Sequence, residues 1–141
     1  MTVSRRPANS PRRAQIVEAA RAVISDGLAE WADLAERAPR ERSASLASIG
    51  NTYRSFARAH PHLYRVMTDG PLPRAALTPG TEERAARPLV DVAGGDTDLA
   101  RAVWAFAHGM VILELDGRFP TNADLEAAWR RGLAGLGAAR A

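Results

Sequence analysis

Asp98-Leu-Ala-Arg-Ala-Val-Trp104-Ala-Phe-Ala-His108-Gly109-Met-Val-Ile-Leu113-Glu-Leu-Asp116 is the stretch whose reading decides the fold. Asp96 or Thr97 offers a side-chain oxygen to cap its start, and Gly117 ends it. From Ala102 to Leu113 the helix is apolar all the way round, with His108 as its one polar group. A helix on the outside of a domain shows a single apolar stripe, so this one is expected to be covered on more than one side. The run is too short for a bilayer, which needs about 20 apolar residues. Few elements remain in the chain to cover the far side, and a second subunit is the economical cover.

The last helix, expected over about Asn122 to Leu136 with Thr121 as its cap, points the same way. Leu125, Trp129, Leu133 and Leu136 make an apolar row, and Ala128, Gly132 and Gly135 make a small-residue face beside it. Ala105 and Gly109 are four apart and form a matching face on the preceding helix, with Ile112 beyond them. A glycine inside a helix costs about 1 kcal/mol relative to alanine, so several of them suggest close backbone approach. Two such helices from each of two chains would form a four-helix bundle about a two-fold axis. The bland alternative is that an alanine-rich chain makes small faces by chance.

The rest of the chain also reads as helix. Residues 1–9 are expected to be a disordered basic arm. Ser10 followed by Pro11 is a helix start, and Ile16, Ala19, Ala20, Val23 and Ile24 fall on one stripe. Asp26-Gly27 reads as a stop or kink, with a second helix over Leu28 to Ala38 that ends at Pro39. A third helix is expected from about Arg42 to Ala59, burying Leu46, Ile49, Tyr53, Phe56 and Ala57. Pro61 opens a short helix through Leu63, Tyr64 and Met67. Asp69 to Gly80 is a loop, and Thr81 to Val92 is helical with Pro88 near a bend. No stretch alternates with period two for long. The expected fold is therefore one all-α domain of six or seven helices, the last two forming the dimeric bundle.

Composition narrows the chemistry. The 141 residues suit one domain. No cysteine is present, which excludes disulfides, thiol nucleophiles and Cys-ligated metals. No lysine is present either, which excludes the Gly-Lys phosphate loop and Schiff-base catalysis. Arginine in place of lysine, with 29 alanines, looks like a high-GC bacterial genome. The high isoelectric point comes from arginine never deprotonating, because the net charge is only +3. Residues 1–13 carry four Arg and no acid, whereas the remainder carries 15 Arg against 16 acids. Phosphate contact would thus fall to Arg5, Arg6, Arg12 and Arg13, although a solvated tail is the commoner meaning of such a stretch. The N-terminus lacks the apolar core of a signal peptide, and a cytoplasmic location without membrane attachment is expected.

No catalytic constellation emerges. His60 and His62 flank a proline and point in different directions on a helix, which suits a helix junction better than a metal site. No Gly-x-Ser-x-Gly elbow occurs, and no two carboxylates pair for acid–base work. No enzyme activity, cofactor or metal is expected. His108 lies one helical turn after Trp104. A lone histidine on an apolar face is usually a core residue bonded to a backbone carbonyl. The alternative is a polar group orienting a ligand in a greasy cavity, with Tyr53, Phe56, Tyr64, Met67 and Trp104 as walls.

At this point the motifs resemble a known pattern. Trp104-Ala-Phe-Ala-His108-Gly109, followed by Leu113-Glu114 and Gly117, resembles the Trp-His-Gly element of a tetracycline-repressor (TetR) subfamily's C-terminal domain. Phe56-Ala-Arg-Ala-His60-Pro61-His-Leu63-Tyr64-Arg-Val-Met67 resembles that domain's Ala-His-Pro-x-Leu-Tyr element, at the expected distance upstream. Together they cover about residues 28–137. Arg13 to Leu28 resembles the family's first helix, which would make residues 10–27 a remnant of it and residues 28–141 the ligand-binding and dimerisation domain. The resemblance implies a helical regulator that dimerises through its last two helices and holds a small, mainly apolar effector among the middle ones.

The chain departs from the family between its first and fourth helices, where a helix-turn-helix is expected. In the best remnant, Asp33-Leu-Ala-Glu-Arg-Ala38, Pro39 falls where the turn wants glycine and Arg40 where it wants an apolar residue. The helix that follows is already needed as the wall carrying Tyr53 and Phe56. The expectation is therefore a homodimer, or a heterodimer with an intact relative, that binds an effector without autonomous operator binding. The runner-up is a DNA-binding repressor using the basic arm and a degenerate helix-turn-helix. A small helical enzyme or metal protein is the third reading.

Overall fold

The computed structural model describes residues 11–38 and 45–138, and six α-helices account for most of them. They are α1 (Pro11–Arg37), α2 (Ser45–Ala59), α3 (Pro61–Thr68), α4 (Thr81–Val92), α5 (Thr97–Leu115) and α6 (Leu125–Ala138). One short 3-10 turn, Arg74–Ala76, interrupts the α3–α4 loop. The fold is all-α, as the periodicity predicts.

Two boundaries differ from expectation. The stop at Asp26-Gly27 does not occur, and α1 runs unbroken for 27 residues. Gly27 is buried, and a Cβ there would lie 2.5 Å from Met67 Sδ and 3.0 Å from Leu63 Cδ1. The glycine thus marks where α3 crosses α1, a close approach that the sequence presents as a break. The last helix begins at Leu125, later than Asn122, and its cap is Asp124. The Asp124 carboxylate accepts from Ala127 N at 2.9 Å, while Pro120 to Ala123 form a turn closed by Ala123 N to Pro120 O.

The other signals act as read. Pro61 opens α3 directly after His60, and Asp96 caps α5 by accepting from the Asp98 and Leu99 amides at 3.0 and 2.9 Å. Gly117 follows α5 with φ +60, a conformation that disfavours a side chain. Pro88 sits buried inside α4, which continues through it to Val92.

Helix α1 packs on α2, α3 and α4, and α2 packs on α5 and α6. Trp31, Tyr53, Phe56, Tyr64, Val103, Val111, Trp129 and Leu133 form the centre of the core. The indole of Trp31 stands edge-on to Tyr53 at 5.2 Å and donates to Ala85 O at 3.1 Å, which ties α1 to α4. Only the second half of α1 takes part. The stripe Ile16, Ala19, Ala20, Val23 and Ile24 has helical spacing, but Ile16 is 63% exposed and Val23 40%. Periodicity shows that a face exists and does not say what covers it.

Candidate functional site

Helices α1 to α5 line a partly open cavity of about 460 Å³, with Trp104, 54% exposed, at its edge. That size suits a small organic molecule. Tyr53, Phe56, Tyr64, Met67, Trp104 and His108, singled out from the sequence, all line it. Its further walls include Leu28 and Trp31 from α1, Ala85 and Leu89 from α4, and Val103 and Ala107 from α5. Trp31 is absent from the walls expected from the sequence, because its placement depends on α1 packing on α4.

Four of the lining residues form one hydrogen-bonded relay. Trp104 Nε1 donates to Tyr53 Oη at 3.2 Å. Tyr53 Oη and Tyr64 Oη are 2.6 Å apart, and Tyr64 Oη lies 2.6 Å from His108 Nδ1. The relay crosses from α5 to α2 to α3 and back to α5. His108 therefore bonds a phenol rather than the backbone carbonyl usual for a core histidine. Burial pushes the Tyr53 and Tyr64 hydroxyls up and the His108 imidazole down, so all three are neutral near pH 7. At the rim, Arg74 makes a bidentate pair with Glu82 at 2.8–3.0 Å, and Arg101 pairs with Asp98 at 2.8 Å.

A second polar network lies on the other side of α2. Arg54, only 8% exposed, bonds Glu114 of α5 through Nε at 2.9 Å and Nη2 at 2.8 Å. Its Nη1 bonds Glu126 of α6, and its guanidinium lies 5.9 Å over the Trp129 ring. The hydrogen bonds from Arg54 hold the Glu114 carboxyl below the usual carboxylate range. This cluster escaped the sequence reading. Its signals were Glu114 inside an apolar helix and Arg54 in line with the small residues Gly50 and Ala57, which let α2 approach its neighbours.

The candidates for a dimer face divide. Ala105, Ala128 and Gly135 are exposed, and Gly109, Ile112, Leu125 and Leu136 are half-buried. Trp129 and Gly132 instead turn inward. Trp129 is 2% exposed against Phe106, with ring centroids 5.6 Å apart. A Cβ at Gly132 would overlap the same Phe106 ring, so this glycine serves the α5–α6 contact within one chain.

Of the basic candidates, Arg12 and Arg13 lie exposed at the start of α1, and Arg5 and Arg6 fall outside the described residues, as does the expected arm. His60 Nε2 lies 3.4 Å from Glu30 Oε1, and its ring rests on Phe56. The stretch Asp33 to Arg37 belongs to α1, where Ala35 is buried and Asp33 and Glu36 hold Arg84 of α4. No helix among the described residues is long and apolar enough to cross a membrane.

The family model described as "Tetracyclin repressor-like, C-terminal domain" matches residues 46–136, from the first turn of α2 into the last turn of α6. The chain belongs to that family. Neither the curated proteins nor the solved structures give a match. In this tetracyclin repressor-like domain, the matched region supplies most of the cavity wall, and α1, which precedes it, supplies Leu28 and Trp31. The family places the chain among TetR-type regulators.

Proposed function

We propose that the chain is the sensing and pairing part of a TetR-type transcriptional regulator, without enzymatic activity and acting in the cytoplasm. The observation that carries this reading is the cavity, where residues from five helices surround one neutral polar relay. Its occupant is a small, mainly apolar effector. Nile red, a neutral dye that brightens in apolar surroundings, tests the site: Ala107→Phe should fill the cavity and abolish the signal. Undiminished dye binding would refute the assignment.

Dimerisation uses the outer side of α5 and α6. Ala105, Leu113, Ala128 and Gly135 are exposed there, and a Cβ at Gly109 or Gly135 would have nothing within 4 Å. A helical glycine costs about 1 kcal/mol relative to alanine, and the chain's own packing gives no reason for these two. Close approach of a second copy, or of an intact relative, supplies one. Sedimentation of Ala105→Arg and Gly135→Arg should show monomers; an unchanged dimer would discard this face.

Operator reading is not part of the proposal. Supporting this, α2 is committed to the core through Tyr53 and Phe56, and the Asp33 to Arg37 stretch is committed to α4. A recognition helix must instead present its side chains to a major groove. Gel shifts across a salt series should find only weak, steeply salt-dependent binding. Sequence-specific nanomolar binding would establish the runner-up.

A further inference from the structure

The relay has a direction, set by its first member. An indole N–H can only donate, so Tyr53 Oη accepts from Trp104. If Tyr53 then donates to Tyr64, and Tyr64 to His108 Nδ1, the indole and both hydroxyl protons have acceptors, and the one proton left over sits on the half-buried His108. The reverse order would leave that proton on the Tyr53 hydroxyl, which is more deeply buried and has no further acceptor among the described residues, the costlier place for it. The forward order makes Nδ1 an acceptor and puts the imidazole proton on Nε2. That N–H has no protein partner among the described residues, and His108 lines the cavity.

The charge pattern adds a second constraint. The inner wall offers Trp31, Ile49, Phe56, Met67 and Val103, none of them ionisable. The charged residues that reach the cavity are Arg74, Glu82 and Arg101; Arg74 and Glu82 hold each other, and Arg101 holds Asp98. An ion carried inside would find these charges already paired with one another and would lose its hydration.

We propose that the cavity selects an uncharged molecule bearing an oxygen acceptor, a carbonyl, ether or hydroxyl, that receives the His108 Nε2 proton. This rests on the effector-binding reading above and adds its chemical class. Carboxylates and organic cations are discriminated against.

Four probes of one shape test it by calorimetry on the whole chain near neutral pH: acetylnaphthalene, ethylnaphthalene, naphthoate and naphthylmethylammonium, substituted at the same ring position. Acetylnaphthalene should bind about tenfold tighter than ethylnaphthalene, the worth of one hydrogen bond, and both ions should bind more weakly still. His108→Phe should reduce acetylnaphthalene to the level of ethylnaphthalene, and His108→Gln, which keeps a donor and an acceptor, should retain the preference. A tighter fit for naphthoate, or an acetyl preference that survives His108→Phe, overturns the proposal while leaving the effector cavity standing. Failure of all four probes, ethylnaphthalene included, overturns both. The ranking in the unaltered chain is decisive even if a variant does not fold.

Discussion

Tyr53 and Arg54 are neighbours on α2, yet they anchor opposite kinds of polar network. Tyr53 belongs to a neutral relay that runs along the cavity and ends in an open N–H. Arg54 belongs to an ionic cluster whose nitrogens are all taken by two carboxylates and whose flat face lies over an indole. A buried charge is tolerated only when its partners are complete, so the ionic network has to be closed. A neutral donor on a half-buried residue beside a cavity costs less to leave waiting than a buried charge does, so the relay can stay open. Closed networks hold helices together, and the open one is where the proposed effector would enter the hydrogen bonding.

The sharpest way to break this contrast is Arg54→Met. It takes away the Arg54 hydrogen bonds of the nearly buried Glu114 and leaves it the mostly exposed Arg58, 3.7 Å away, as its ion-pair partner among the described residues, and urea denaturation should show a loss of about 3 kcal/mol. The pair Arg54→Met with Glu114→Leu should recover most of it; a single-variant loss below about 1 kcal/mol would mean that the cluster does not hold α2, α5 and α6 together. Next in size is the seam that the cluster closes. Gly132→Ala pushes into Phe106 and should cost about 1–3 kcal/mol, whereas Gly135→Ala, with open space around it, should stabilise the isolated protomer by up to about 1 kcal/mol. Thermal unfolding of the two variants under monomeric conditions separates them.

On the neutral side, Tyr53→Phe removes the middle of the relay and should cost only about 1 kcal/mol in the same denaturation experiment. It should also alter Trp104 fluorescence, because the indole loses its acceptor.

The smallest effect separates the networks by pH. Burial lowers the His108 pKa from 6.5, so below that value the unfolded chain binds a proton that the folded chain refuses. Stability should therefore fall as pH drops from 6.5 toward the lowered value, and should not change on this account above 6.5. Glu114 behaves differently: Arg54 lowers its pKa from 4.5, so its contribution is full above 4.5 and is lost only as pH falls through the lower folded value. His108→Gln should flatten the first decline and leave the second, which melting curves across the acid range would show.

Local chemistry carried most of the fold. Pro61, Asp96 and Gly117 mark their boundaries by mechanisms that act within one turn, and all three are legible. Gly27 and Asp124 are not. The first depends on Met67 crossing from another helix, and the second on a competing turn after Pro120. The six cavity residues were recognisable as apolar or aromatic positions, and the structure gathers them around one space. The relay was hidden, because a tyrosine on a helical stripe looks the same whether its hydroxyl meets water, a backbone carbonyl or another tyrosine. Trp129 and Gly132, expected on the outer face, pack on Phe106 within the protomer for a related reason: a small-residue face fits a helix of the same chain as well as one from another.

Along α5, Trp104 and His108 line the cavity, while Ala105 and Gly109, each the very next residue, belong to the outer stripe. Successive residues on a helix are turned by about 100°, so these pairs ride on one rigid shaft like adjacent lobes of a cam. A guest that rolls this shaft by a few degrees to make room at Trp104 must swing Ala105 and Gly109 through the same angle, with no intervening loop to absorb the motion.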